Sequence, residues 1–230
     1  MFKQFAFIAA LALTAAAPPP TAPPAIPGLI PPPEVVANPA NRLSLVLSNG
    51  GTVVILLRPD LAPRHVERIR TLVGRHFYDG LTFHRVIPGF MAQGGDPQGT
   101  GQGGSTLPDL AAEFNDLPHL RGVLSMARAD APNSANSQFF IVLAPTFKLD
   151  HKYTALGRVV EGMVAVDGIA VGEPPAEPTR IVRASIGGPL PAAPPAAVAP
   201  AVVVATPAAP DAPAPAEPVE PVPGAAPVQP

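Results

Sequence analysis

The sequence predicts a mainly β protein, a closed antiparallel β-barrel capped by two helices. Three observations carry this prediction: many short runs of strand-forming residues, two stretches with helical apolar spacing, and glycine-rich connections between them. The pattern is confined to the middle of the chain. Of the 35 prolines in 230 residues, 24 lie before residue 42 or after residue 187. The ends are therefore compositionally distinct, and residues 42–187 are read as the folded domain.

Taken in order, "RLSLVLSNGGTVVILL" is two apolar runs joined by Asn49 and Gly50, a hairpin signal because both residues tolerate positive φ. "APRHVERIRTLVGRHFYDG" then places Val66, Ile69, Leu72 and Val73 at helical spacing, with Pro63 in the first turn, where a proline costs least. The opposite face of this helix, Arg64, Glu67, Arg68 and Arg70, is expected to meet water. Strands are predicted over 82–87, 90–93, 123–127, 138–142, 155–160 and 181–186, and a second short helix over 163–169.

The ends read differently. One lysine, Lys3, precedes an apolar run from Phe5 to Leu13, and small residues follow to a cleavage position after Ala16, the layout of a secretory signal over residues 1–16. The run is too short to span a bilayer. Residues 17–41 are expected to form a Pro/Ala-rich extended spacer, and residues 188–230 a disordered tail with polyproline-II character.

A formal charge of −2 with 14% charged residues and no basic run argues against nucleic-acid binding. Cysteine is absent, which excludes disulfides, thiol catalysis and cysteine-ligated metal. An exported chain without cysteines fits a bacterial periplasm, or secretion, better than a eukaryotic disulfide scaffold. "GTGQGG" at 99–104 matches the dinucleotide fingerprint in form, but Pro108 stands where its helix should run, so it reads as a glycine loop. The five histidines lack metal-binding spacing. Ser125 lies in an apolar strand, and no nucleophile-elbow motif accompanies it.

Arg85 stands out in "FHRVIPGFMAQGGD", residues 83–96. A guanidinium keeps its charge and is costly to bury, and on a strand it is ordinarily solvated or paired. Alternation puts Arg85 on one face with Phe83 and Ile87. Met91 and Gln93 stand two apart on the next strand, and Gln138 and Phe140 repeat that spacing in "SQFFIV". A polar group beside a large apolar one, recurring on neighbouring strands, suggests a shallow apolar pocket for a small ligand or peptide.

"FHRVIPGFMAQGGD", "AEFND", "GVLSMA", "NSANSQFFIVL" and "LDHKYTALGRVVEGM", in that order, resemble the cyclophilin-type peptidyl-prolyl cis–trans isomerases, most of all their bacterial branch. The resemblance runs from residue 42 to about 187. It implies an eight-stranded antiparallel barrel closed by two helices, the architecture that the pattern suggests independently. It further implies catalytic roles for Arg85, Gln93 and Phe90. A hydrophobic seat for the substrate proline would come from Phe90, Met91, Phe140 and Leu149, with Gln93 holding Arg85 and Gln138 nearby. Main-chain groups at Ala127, Arg128 and Ala129 would hold the residue before the proline, and Tyr153 would close the pocket where many relatives have histidine. No cofactor or metal is implied. The expected partners are proline-containing polypeptides, met by a monomer with no membrane span and no nucleic acid.

Lys148 departs from the family pattern, standing where many members have tryptophan. Because tryptophan there favours cyclosporin binding in the family, strong cyclosporin sensitivity is not expected. Besides an isomerase serving exported proteins, a non-catalytic peptide-binding chaperone on the same fold would use the same pocket. A secreted structural Pro/Ala protein accounts only for the ends.

Overall fold

The computed structural model of the protein describes residues 28–188. These lie within one compact unit; residues 1–27 and 189–230 lie outside the described residues. The latter comprise the expected signal segment, most of the spacer and the tail from residue 189.

Eight strands and three short or medium α-helices follow in the order α1 (Pro33–Ala37), β1 (Arg42–Leu47), β2 (Thr52–Leu57), α2 (Pro63–Gly74), β3 (Phe83–Ile87), β4 (Met91–Gly94), β5 (Val123–Met126), β6 (Phe139–Val142), β7 (Ala155–Glu161), α3 (Met163–Asp167) and β8 (Ile181–Ile186). The strands form one antiparallel sheet in the order β3-β4-β6-β5-β7-β2-β1-β8. In the β1–β2 hairpin Val46 pairs with Thr52, and of the two turn residues singled out only Gly50 has positive φ, at 85°. Leu43, Leu45 and Leu47 alternate inward against Val53, Ile55 and Leu57, all nearly inaccessible to solvent. Each such side chain contributes about 1.5–3 kcal/mol on burial. Helix α2 packs against β8 and α3 against β2.

The expected closed barrel is corrected to an eight-stranded half-barrel. No ladder joins β3 to β8; their flanking residues meet at one bridge, Thr82 to Arg180, with the Phe83 amide donating to the Thr179 carbonyl at 2.9 Å. Farther along β3, Val86 bridges Gly172 instead. Between these two points lies "EPPAEP", residues 173–178, whose three prolines lack the N–H groups that a ladder needs. The chain loops out there and the seam stays open.

Order begins earlier than the composition suggests, which corrects the upper part of the 17–41 spacer. Buried Arg58 donates to the Gly28 carbonyl at 2.6 Å, and Asn41 donates to the Val35 carbonyl at 2.8 Å, so residues 28–41 lie against the domain. Helix α2 starts at Pro63 as predicted. Its first amides, Arg64 and His65, donate to the Glu113 carboxylate at 3.2 and 3.1 Å, a cap supplied from another segment. Arg68 does not face water. It is buried because its guanidinium donates to the carbonyls of Pro108 (2.6 Å) and Asn136 (3.2 Å), which close over the helix. The second predicted helix stops at Asp167, two residues short of Ile169. Among the described residues, no helix is long and apolar enough to cross a membrane.

Candidate active site

The site is built on the outer face of β3, β4, β6 and β5. The turn Ile87–Phe90 joins β3 to β4, with Pro88 and then Gly89 at φ 67°, closed by the Phe90 amide donating to the Ile87 carbonyl at 3.1 Å. This hairpin sets Arg85 opposite Gln93 and Ile87 opposite Met91. Gln93 in turn faces Phe140 on β6, and Phe140 faces Ser125 on β5. Directly paired residues share a face, so Arg85, Gln93, Phe140 and Ser125 form one transverse row. The neighbouring row, Val86, Ala92, Ile141 and Leu124, points into the half-barrel core.

Phe83 does not share a face with Arg85, contrary to strict alternation. Phe83 pairs with Gly94 and Arg85 with Gln93, so His84 is an extra residue on β3. A β-bulge of this kind turns the strand and reverses the parity on either side of it. Phe83 therefore packs inward against Phe139, their ring centres 6.2 Å apart, while Arg85 emerges on the outer face.

Nine of the eleven site residues predicted from sequence line one cavity of about 150 Å³: Arg85, Phe90, Met91, Gln93, Ala127, Arg128, Phe140, Leu149 and Tyr153. Gln138 and Ala129 line a larger, more polar groove of about 560 Å³ that shares Gln93, Ala127 and Arg128 with it. Met91, Phe140 and Leu149 belong to a second apolar cluster outside the core, with Phe90 and Tyr153 packed against it. Tyr153 stands edge-on to Phe140 at 5.7 Å, and the Arg128 guanidinium lies 4.7 Å above the Tyr153 ring. That guanidinium also donates to the carbonyls of Lys152, Ala129 and Asp130 at 2.8–3.0 Å, so it is fixed. Lys148 extends its ammonium to 5.0 Å from the Phe90 ring centre.

The polar groups are organised differently from the predicted scheme. Gln93 makes no hydrogen bond to Arg85; its amide donates to Gln138 at 2.8 Å, and Gln138 donates to the carbonyls of Gly101 and Gly103. The partner of Arg85 is Glu173, whose carboxylate accepts from the arginine Nε at 2.6 Å. Sequence reasoning missed this residue, because nothing in "VGEPPAEP" announces that its loop lies beside β3.

Behind Phe140 lies a buried chain that periodicity does not reveal. His119 stacks on the Phe140 ring at 6.2 Å; its Nδ1 lies 2.8 Å from Asp150 Oδ1 and its Nε2 lies 3.0 Å from Ser125 Oγ. The order resembles a Ser–His–Asp triad. However, Ser125, though on the outer face, is wholly buried between His119 Nε2 and the Thr154 carbonyl oxygen, to which its hydroxyl donates at 2.9 Å, so no substrate reaches it. Burial pushes the His119 imidazole below its ordinary pKa, against the pull of Asp150. The chain braces the floor of the pocket.

The glycine loop 99–104 is held by Asp96, which is 1% exposed and accepts from the amides of Gln98 (2.8 Å), Thr100 (2.9 Å) and Gly101 (2.6 Å). Burial alone would raise the Asp96 pKa, but these backbone donors outweigh it and the net shift is downward. A carboxylate with a depressed folded pKa stabilises fully above its unfolded value, and that stability disappears as pH falls through the folded pKa. Asp96→Asn is expected to lose about 1–3 kcal/mol at pH 7, the cost of unmaking charge-assisted bonds to buried amides. Urea midpoints at pH 7 and in acid check this: the gap between parent and variant should narrow as pH falls below the ordinary aspartate range. A gap that stays constant would disprove the linkage. Among the described residues, no cluster of three or more histidines and carboxylates could hold a metal ion.

An apolar floor, an arginine at its edge and a polar groove beside it are the features of a peptide site on a β scaffold. The profile of the family "Cyclophilin type peptidyl-prolyl cis-trans isomerase/CLD" matches residues 43–186. A probable peptidyl-prolyl cis-trans isomerase of Brucella suis is 46% identical over 166 residues, covering 65% of this chain and 84% of that protein. Among solved structures, cyclophilin AquaCyp293 from Hirschia baltica superimposes with a TM-score of 0.60 at 32% identity, covering 65% of this chain and 74% of that one. A Cryptosporidium parvum cyclophilin-type isomerase, crystallised in the presence of the dipeptide Ala-Pro, gives a TM-score of 0.60 at 27% identity, covering 64% and 99%. The chain belongs to the cyclophilin-type peptidyl-prolyl cis–trans isomerase family.

Proposed function

We propose that the protein accelerates rotation about X-Pro bonds in exported polypeptides, with Arg85 as the catalytic donor. The observation that carries this reading is that Arg85 lines the same 150 Å³ cavity as the apolar side chains Phe90, Met91, Phe140 and Leu149. Rotation about a peptide bond must cross a barrier of about 18–20 kcal/mol because amide resonance is lost. In the twisted state the prolyl nitrogen becomes pyramidal and gains a basic lone pair. A donor aimed at that nitrogen binds the twisted state better than either planar one, which lowers the barrier. The ring would sit on Phe140 and Leu149 while the preceding carbonyl swings. Upstream residues would run past Ala127 and Ala129 into the larger groove. No nucleophile is needed, which agrees with the inaccessible Ser125.

The full chain should raise the exchange rate of an Ala-Pro peptide, read by NMR exchange spectroscopy, in proportion to its concentration. Binding of the peptide without faster exchange would favour the chaperone reading instead. Export is supported by the Lys3 and Phe5–Leu13 layout of the N-terminus. Expressed in a bacterium, the protein recovered from the periplasm should begin at Ala17; a chain retained in the cytoplasm with Met1 intact would rule export out.

A further inference from the structure

We propose that Glu173 is a positioning residue for the isomerase reaction: it fixes the Arg85 guanidinium through Nε and leaves both Nη groups to face the proline seat. The inference rests on the isomerase reading above. Glu173 Oε2 lies 2.6 Å from Arg85 Nε, and among the described residues this is the one hydrogen bond the guanidinium makes. The transition state presents a single lone pair in a single direction. A donor at the end of four rotatable bonds serves it only when held in place, and misplacement by an ångström is costly in rate. Gln93, opposite Arg85 in register, is turned toward Gln138 and does not do this holding.

The loop that carries Glu173 is itself anchored beside the arginine. Val86, the next residue after Arg85, donates its amide to the Gly172 carbonyl at 2.8 Å and accepts the Gly172 amide at 3.0 Å. Gly172 has φ +148°, and a Cβ there would lie 2.6 Å from the Pro175 Cα, so the chain folds tightly back at this point. Glu173 thus leaves a fixed backbone position one residue from the strand residue whose side chain it holds. The pair is not explained by stability. The arginine side chain is 42% exposed and the carboxylate 51%, and exposed ion pairs contribute little to folding. The use of Nε is informative too: a carboxylate that competed with substrate would occupy the Nη edge.

The test uses the full chain and its Glu173→Ala, Glu173→Gln and Arg85→Ala variants on an Ala-Pro peptide, with kcat and KM resolved separately. Glu173→Ala should lower kcat about five- to twenty-fold with KM changed less than about two-fold, the pattern of a lost transition-state geometry. Glu173→Gln keeps an oxygen that accepts from Nε–H and should recover to within about three-fold of the parent. A second readout is independent of turnover. The Arg85 Nε–H proton should be resolved and slow to exchange with water in the parent and in Glu173→Gln, and broadened in Glu173→Ala. An unchanged or raised kcat in Glu173→Ala, with the parent active and Arg85→Ala impaired at least about ten-fold, would overturn the proposal and leave the isomerase reading standing. A rise in KM alone would also overturn it, since that marks a substrate contact. If the parent itself does not catalyse exchange, the isomerase reading fails. The Nε–H resonance then decides whether Glu173 holds Arg85.

Discussion

Arg85→Ala is expected to cut catalysed exchange of an Ala-Pro peptide by at least about ten-fold, since a charge-assisted hydrogen bond is worth about 1.5–3 kcal/mol and about 1.4 kcal/mol is a decade in rate. The fold should survive. The arginine side chain is 42% exposed and its ion pair is with a half-exposed glutamate, so thermal unfolding should move little. Residual acceleration is expected, because the apolar seat still binds the ring and orients it. Arg85→Lys separates charge from geometry. Its ammonium keeps the charge but loses the Nε–H that meets Glu173 and the rigid fork that faces the seat. Recovery of activity by lysine would make the field of the charge the operative quantity; activity close to that of alanine would make it the directed donor. Measured by exchange spectroscopy alongside a melting curve, retention of full activity in Arg85→Ala would sink the catalytic assignment.

Much of the scaffold is legible from local pattern, and the failures are physically specific. The eight strand runs and α2 follow from alternation and 3.6-residue spacing, and β8 matches its predicted bounds, Ile181–Ile186. Alternation fails at His84, because a bulge inserts one residue without a compositional mark; the assignment of Phe83 to the face of Arg85 fails with it. Helical spacing puts Arg68 on the polar side of α2, and only the fold brings the Pro108 and Asn136 carbonyls over it. Closure of the barrel depends on whether a distant segment can supply donors along the free edge of β3. The prolines of residues 173–178 show in the sequence that it cannot, but nothing local says that this segment is the one that arrives there. The resemblance singled out, residue by residue, nine side chains that the fold brings to one cavity. The partner of Arg85 was not legible, since Glu173 is 88 residues away in sequence. Long-range pairs of polar groups carry no periodicity, and they hold this site in place.

Phe139 and Phe140 provide the sharpest separation of scaffold from site, since they are adjacent on β6 and face opposite ways. Phe139 is 1% exposed in the core, where it meets Tyr78 edge-on at 5.6 Å and Phe83 at 6.2 Å. Phe139→Ala leaves a cavity in a layer of interlocked rings and should cost about 3–5 kcal/mol, a large part of a typical domain stability of about 5–15 kcal/mol. Phe140 lies between the stacked His119 and the edge-on Tyr153, with one side open to the cavity. Its removal leaves a hollow that water already borders, so Phe140→Ala should destabilise less than Phe139→Ala. It should, however, lower kcat/KM by about ten-fold or more, because a buried aromatic contact with the proline ring is worth about 1.5–3 kcal/mol. Urea unfolding of both variants, with exchange kinetics at a temperature where each remains folded, tests the pair. The Phe139 variant should keep most of its activity per folded molecule and the Phe140 variant most of its stability. The reverse pattern would mean that the outward row of β6 is not the substrate face, and the bulge at His84 would then have turned Arg85 toward nothing.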